Sequence, residues 1–392
     1  MYKVLLLGAS GSIGTQTVDV LLNKLEKNYE LVGFSVGKRT NFVDEYLSKI
    51  NTVKYVCVQS ESLKGTFESK YKDVKFFYGS EGLLRLIEES NVDIVVNALT
   101  GFSGLLPSIK SLTLNKVLCL ANKESLVVGG EIINDLLQKG KGKLYPIDSE
   151  HVAIAKCLYN KNINDVDEIL ITASGGPFFN TPKEEFKSIT PEKALAHPTR
   201  KMGSKITIDS STMMNKAFEI AEAYYLYGVD KEKIKPIVDR KSLVHSLVKY
   251  KNGDIYLNVG PSDMRIPIYY ALTFGKCDED KFVDVEINTF NNYKFYEMDY
   301  DKFPLINYGK EIISKKGNFG AIVNAANEEA VYAFLDNKIN YLDIKFIIDK
   351  MVAMYPYIEH PSIDEILKTD KDVRGLVNQI IESKSLWFQL MY

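Results

Sequence analysis

Cysteine is scarce, and the four present, Cys57, Cys119, Cys157 and Cys277, form no Cys-x-x-Cys pair. This excludes a Cys-ligated zinc site and a disulfide framework, and fits reduced thiols in a cytoplasm. Charge of one sign is not in excess, since 49 Lys and Arg face 51 Asp and Glu. Neither nucleic acid nor an acidic membrane surface is therefore an expected partner, and any anionic ligand must be met by a local pocket. No apolar run approaches the roughly 20 residues of a membrane-spanning helix. Met1-Tyr2-Lys3 leads straight into a strand pattern, so no targeting segment is expected. Internal repeats and low-complexity stretches are missing too. The single tryptophan, Trp387, reads as a packing residue.

What is present is an ordinary globular composition, 45% apolar and 26% charged, over 392 residues. That length exceeds one core and implies two or three domains. Val4 to Leu7 is wholly apolar, as a strand buried on both faces should be, and Gly8-Ala9-Ser10-Gly11-Ser12-Ile13-Gly14 follows at once. A helix pattern over Gln16 to Leu25 completes a strand, glycine turn and helix, the opening unit of a dinucleotide-binding fold. A second strand, Glu30 to Val36, ends in Gly37-Lys38-Arg39-Thr40. NAD enzymes usually place an acidic residue there; Lys38 and Arg39 point instead to the 2'-phosphate of NADP(H), with a solvated basic turn as the alternative.

Further apolar runs at Val53 to Val58, Val92 to Leu99 and Val117 to Leu120 alternate with helix patterns at Leu83 to Glu89 and Ile132 to Lys139. The alternation predicts a doubly wound parallel sheet. Ligands of such sheets bind beyond the carboxyl ends of the strands, which places Asn122, Lys123 and Glu124 at the expected site. In Pro146-Ile147-Asp148-Ser149-Glu150-His151, Asp148 and Glu150 are two apart; in extended backbone they would share a side and could converge on one hard cation. By itself the segment reads more often as a polar turn after a strand.

After a helix at Val152 to Leu158, the strand Glu168 to Thr172 runs into Ala173-Ser174-Gly175-Gly176-Pro177, either an anion-binding turn or a plain one. The basic loop His197-Pro198-Thr199-Arg200-Lys201-Met202-Gly203 has the makings of a lid. Ile206 to Asp209 is predicted as a strand, with Ser210 and Ser211 as N-caps of the helix that follows. On that helix Asn215 and Glu219 share a face beside Lys216, a coherent phosphate and cation site or an ordinary surface ion pair. Val238 to Val248 and Ile255 to Val259 flank a hairpin turn at Lys251-Asn252-Gly253-Asp254, and His245 within it reads as a packing or interface residue. From about Ala321 the pattern is helical, at Ile322 to Leu335, Tyr341 to Met354 and Ser362 to Ser383, the last opening on a Ser362-x-x-Glu365 capping box.

Taken together, GASGSIG, ANKES at 121 to 125, PIDSEH at 146 to 151, ASGGPF at 173 to 178, MGSKITIDSSTMMNKAFE at 202 to 219 and NAANEEAV at 324 to 331 resemble, in order and over nearly the whole chain, the 1-deoxy-D-xylulose 5-phosphate reductoisomerase family. The resemblance implies an NADPH enzyme of the non-mevalonate (MEP) isoprenoid pathway, in which a carbon–carbon bond breaks and reforms, by retro-aldol and aldol steps, before hydride transfer. It implies Asp148, Glu150 and Glu219 as ligands of one Mn2+, Mg2+ or Co2+. Lys123, Ser149, Glu150, Ser174, His197, Ser210, Asn215, Lys216 and Glu219 would contact substrate, with Ser174, Ser210, Asn215 and Lys216 around its phosphate. Lys123, Glu150 and His197 would be the catalytic residues. NADPH would be held by Ser10, Gly11, Ser12, Ile13, Gly37, Lys38, Arg39, Asn122, Glu124 and Gly203. A cytoplasmic homodimer is implied as well.

One departure stands out: Arg200 occupies the lid position where the family typically has a tryptophan. A guanidinium needs a charged or π partner that an indole does not, so we expect Arg200 to cover the substrate differently. Two other classes share these features, a non-catalytic NADP(H)-sensing protein and a different NADP oxidoreductase acting on a sugar phosphate. The expected architecture is α/β: an N-terminal Rossmann-like domain over 1–147, a catalytic domain over 148–275 with its lid at about 194–204, a connection over 276–305 and a C-terminal helical domain over 306–392.

Overall fold

The computed structural model describes residues 1–198, 202–276, 282 and 286–390, with the side chains of 287 and 384–390 excepted. Arg200, Cys277 and the side chain of Trp387 fall outside the described residues. Two compact units are present: one comprises 1–125, 132–152 and 263–284, the other 126–131, 153–262 and 285–392.

The first unit is built on seven parallel strands, β1 (Tyr2–Leu7), β2 (Tyr29–Val36), β3 (Tyr55–Val58), β4 (Lys75–Tyr78), β5 (Ile94–Asn97), β6 (Val117–Leu120) and β7 (Lys143–Pro146). Their order is β4-β3-β2-β1-β5-β6-β7, a doubly wound sheet that reverses direction of growth at β1. The period of two along β1 explains why it reads as a solid apolar run: Val4 and Leu6 enter one buried cluster, Leu5 and Leu7 another. All four are fully buried, each contributing roughly 1.5–3 kcal/mol of apolar burial. The short edge strand β4 was not foreseen, four residues being too few for a periodic signal. Residues 263–284, split in sequence between catalytic domain and connection, return to this unit through the helix Arg265–Leu272. Tyr29 Oη donates to the Leu272 carbonyl at 2.9 Å, and Arg265 Nη1 meets Asp19 at 3.2 Å.

The second unit contains a mixed sheet in the order β11-β10-β8-β9, formed by β8 (Val166–Ala173), β9 (Ile234–Val238), β10 (Val244–Tyr250) and β11 (Ile255–Val259). β10 and β11 are the anticipated hairpin, whereas the run predicted from Val238 belongs partly to β9, which pairs parallel with β8. His245 is buried in β10, its Nε2 3.2 Å from the Gly260 carbonyl oxygen, as a packing residue would be. The helices Phe319–Leu335, Tyr341–Met354 and Ile363–Leu390 match the C-terminal expectation, and the capping box is formed: Glu365 N donates to Ser362 Oγ at 3.2 Å and Ser362 N to Glu365 Oε2 at 2.8 Å.

Two expectations fail here. Ile206 to Asp209 is not a strand but the middle of a helix, Ser204–Thr212, so Ser210 and Ser211 lie in its last turn and are not N-caps. The β-branched alternation misled because this helix is buried on several sides and shows no single apolar stripe: Lys205, Thr207, Ile208, Asp209, Ser211 and Thr212 are all buried. Met213, left-handed at φ +65, ends it and starts the helix Met214–Tyr227. Asp148 and Glu150 need a similar correction: they are not in extended backbone, because Asp148 precedes and Glu150 opens the helix Ser149–Cys157, and Asp148 O accepts from Val152 N at 2.9 Å.

Candidate active site

In the first unit, β1 ends in a turn that only glycine fits. A Cβ on Gly8 (φ +83) would lie 2.6 Å from the Ala98 carbonyl oxygen, and one on Gly14 would lie 2.3 Å from the Gly8 carbonyl oxygen. The helix Ser12–Asn23 starts at Gly11 without a side-chain cap and without an acidic residue in its first turn. Its leading N–H groups and dipole thus favour an anion, which fits the pyrophosphate of a dinucleotide. Ser10 is buried in this turn, Ser12 and Ile13 open the helix, and beyond β2 a Cβ on Gly37 would meet nothing within 4 Å. Lys38 follows Gly37, and the guanidinium of Arg39 lies over the Phe42 ring at 5.2 Å.

β6 and β7 are parallel neighbours with Leu120 opposite Pro146, so residues just beyond their carboxyl ends come side by side. Lys123 and Asp148 form an ion pair there, their side chains 9% and 11% exposed. Glu150 is buried in the first turn of its helix, where the dipole favours a carboxylate, and accepts from Ser149 Oγ at 2.6 Å. These donors are all hard oxygens with an ammonium alongside, a set suited to Mg2+ or Mn2+ and not to a thiolate-seeking ion. Asn122 is committed elsewhere: its Nδ2 donates to the carbonyls of Leu99 (3.0 Å) and Gly101 (2.8 Å) and lies 3.3 Å from Glu124 Oε2, while its Oδ1 accepts from Ser125 N at 3.0 Å. Its side chain locks the turn after β5, an economy invisible in sequence.

In the second unit, β8 delivers Ser174 to a turn whose next two residues, Gly175 and Gly176, both have positive φ. His197 Nε2 stands 3.1 Å from Ser174 Oγ and 3.2 Å from Ser210 Oγ, which gathers three predicted residues from separate segments. The break at Met213 lets Ser210 finish one helix while Asn215 and Lys216 open the next, whose first turn has no side-chain cap and no acidic residue. Deeper in that helix Glu219 accepts from Asn215 Nδ2 at 2.5 Å and pairs with Lys216, both members of the ion pair being buried. Gly203 is the N-cap of the helix Ser204–Thr212. Sequence reasoning missed Arg240, whose Nη1 donates to the backbone carbonyls of Ser174 and Gly176. The signal was slight, a cation just past the end of β9.

A doubly wound sheet with a glycine cradle at one strand end, and a lysine and carboxylates at others, defines a nucleotide-dependent oxidoreductase. Comparison with known proteins narrows this. The chain matches the family model for 1-deoxy-D-xylulose 5-phosphate reductoisomerase over residues 4–130 and two models of C-terminal domains of the same enzyme over 144–227 and 259–376. It is 38% identical over 385 residues to 1-deoxy-D-xylulose 5-phosphate reductoisomerase 2 of Bacillus anthracis, covering 97% of this chain and 100% of that one. It is 37% identical over 380 residues to the Clostridium kluyveri reductoisomerase, covering 96% and 98%. Among solved structures, the Zymomonas mobilis enzyme in complex with NADPH superposes with a TM-score of 0.89 at 34% identity over 97% of this chain and 99% of that one. A DOX-P reductoisomerase in complex with NADPH, fosmidomycin and magnesium gives 0.91 at 28% identity over 97% and 98%. The chain belongs to the 1-deoxy-D-xylulose 5-phosphate reductoisomerase family.

Proposed function

We infer that this chain converts 1-deoxy-D-xylulose 5-phosphate to 2-C-methyl-D-erythritol 4-phosphate, consuming one NADPH and one proton per turnover. The observation that carries the reading is full-length kinship to reductoisomerases, together with an oxygen-donor and lysine cluster on the same sheet edge as the glycine cradle. When bound, a divalent cation supplies Lewis-acid polarisation of the substrate oxygens and NADPH supplies the hydride.

The residue assignments are our own reading. By the family resemblance, Asp148, Glu150 and Glu219 would hold the cation. Lys123, paired with Asp148, is set to offer its ammonium to the reacting oxygens, and Ser149 to orient them. Ser174, Ser210, Asn215 and Lys216 would take the phosphate, with His197 fixing the hydroxyls of Ser174 and Ser210 through one nitrogen. Ser10, Gly11, Ser12, Ile13, Gly37, Lys38, Arg39 and Glu124 would contact NADPH, joined by Gly203 and by the backbone of Asn122, whose side chain is already bonded. Functionally, 1–147 serves the nucleotide, 148–275 the substrate and metal, and 306–392 supports the latter. We further propose a cytoplasmic homodimer that accepts Mn2+ as well as Mg2+.

Absorbance of NADPH, followed with 1-deoxy-D-xylulose 5-phosphate as substrate, tests the reading. Oxidation should stop on chelation and resume with Mn2+ or Mg2+, and the product should carry the branched skeleton. Absence of turnover with added Mn2+, or an unbranched product, overturns it.

A further inference from the structure

The turn Ser174-Gly175-Gly176 has two consecutive left-handed residues, φ +80 and +64, and Gly176 N donates to Ser174 Oγ at 3.2 Å. The carbonyls of Ser174 and Gly176 converge on one atom, Nη1 of Arg240, the Gly176 bond being 3.0 Å long. The guanidinium also lies over the Phe179 ring, 5.0 Å from its centroid. Its fit is close, since a Cβ on Gly175 would come 3.1 Å from the same nitrogen.

Arg240 is aimed by a loop that is itself pinned. The carboxylate of Asp239 accepts from the backbone N of Lys241 (3.0 Å), Leu243 (3.0 Å) and Val244 (2.9 Å) and from Tyr293 Oη, while Asp239 N donates to the Ala173 carbonyl at 2.8 Å. The strand that ends at Ala173 therefore holds both the turn and the base of the arginine. A neutral donor would suffice to satisfy two carbonyls. A fixed cation goes further, because it offsets two carbonyl dipoles that would otherwise oppose an anion at the Ser174 hydroxyl, in a half-buried place where water screens poorly.

We propose that Arg240 is a positioning residue for the substrate phosphate: its charge, delivered through the Ser174 and Gly176 carbonyls, makes this turn anion-accepting. The proposal rests on the reading that Ser174 and Ser210 flank the phosphate. The full chain, loaded with NADPH and Mn2+, is compared with Arg240→Ala, Arg240→Gln and Arg240→Lys for KM of the sugar phosphate, kcat, KM of NADPH and inhibition by inorganic phosphate. The Ala and Gln variants should raise the substrate KM and the phosphate inhibition constant together by about tenfold, leaving the NADPH KM unchanged, and Lys should restore most of the loss. Should Ala prove unfolded, Gln and Lys, which keep an extended stem toward Phe179, carry the comparison. Full recovery with Gln, or a phosphate constant that does not move, overturns the role of the charge. Ser174→Ala separates the two levels: if it raises the substrate KM while the Arg240 variants do not, the role of Arg240 fails alone, and if it too is silent, the phosphate reading fails with it.

Discussion

Lys123 and Asp148 meet as an ion pair just beyond the carboxyl ends of two adjacent parallel strands, each side chain about nine-tenths withdrawn from solvent. The lysine occupies a carboxylate assigned here to a divalent cation, so the two cations compete for Asp148 or share it. Lys123→Ala should then separate two quantities that usually move together. Turnover should fall by roughly 10²–10³, the cost of removing a preorganised charge from a reacting oxygen. Affinity for Mn2+, measured by calorimetry, should hold or tighten. A parallel loss of metal binding would place Lys123 among the groups that build the cation site and not among those that act on substrate.

His197 uses one nitrogen for two hydroxyls, Ser174 Oγ and Ser210 Oγ. Neither serine is then independent of the other. Each alanine substitution alone should raise the substrate KM by about tenfold, in line with roughly 1–1.5 kcal/mol for a hydrogen bond. The double variant should cost less than the product of the two, because the first substitution already releases the ring. A strictly multiplicative double variant would mean that the histidine does not couple them.

The helix mistaken for a strand carries its own test. Asp209 is 2% exposed and lies between Lys205 Nζ at 2.7 Å and Asn327 Nδ2 at 2.9 Å. Asp209→Ala would strip the buried ammonium of Lys205 of this carboxylate, at an expected cost of about 3–5 kcal/mol in chemical denaturation. Pairing the change with Lys205→Met should recover part of that loss, since a buried ammonium that has lost one of its carboxylate contacts carries much of the penalty. If the double variant is no better than the single, the destabilisation comes from packing.

How far the sequence could be read follows from the same contrast. The strands of the parallel sheet are buried on both faces, so β1, β2 and β6 were legible as apolar runs, and Gly8 and Gly14 were legible because a tight backbone approach excludes a side chain. The helix Ser204–Thr212 was illegible because it too is buried on several sides and has no stripe to betray its period. The two-residue spacing of Asp148 and Glu150 does not encode their geometry, since they stand at a helix start and not in extended chain. Asn122 and Arg240 do their work through backbone carbonyls, and no residue pattern encodes which carbonyls a fold will bring to them.

Acid stability offers a last measurement, on the first unit. Arg265 grips Asp263 with Nη2 at 2.7 Å and Nε at 3.1 Å, and its backbone N adds a third bond at 2.9 Å. Burial by itself would push the Asp263 carboxyl up, but the hydrogen bonds and charge of Arg265 outweigh it and hold the group below its usual range. A carboxylate lowered in the folded state stabilises the fold above its unfolded pKa of about 3.9, and that contribution disappears as pH falls through the lower folded value. The gap in stability between the parent chain and Arg265→Ala should therefore be largest near neutrality and close as the solution is taken below about pH 4. A gap that stays constant down to the lowest pH at which the chain remains folded would assign the effect of Arg265 to its packing over the Phe282 ring instead of to its carboxylate partners Asp263 and Asp19.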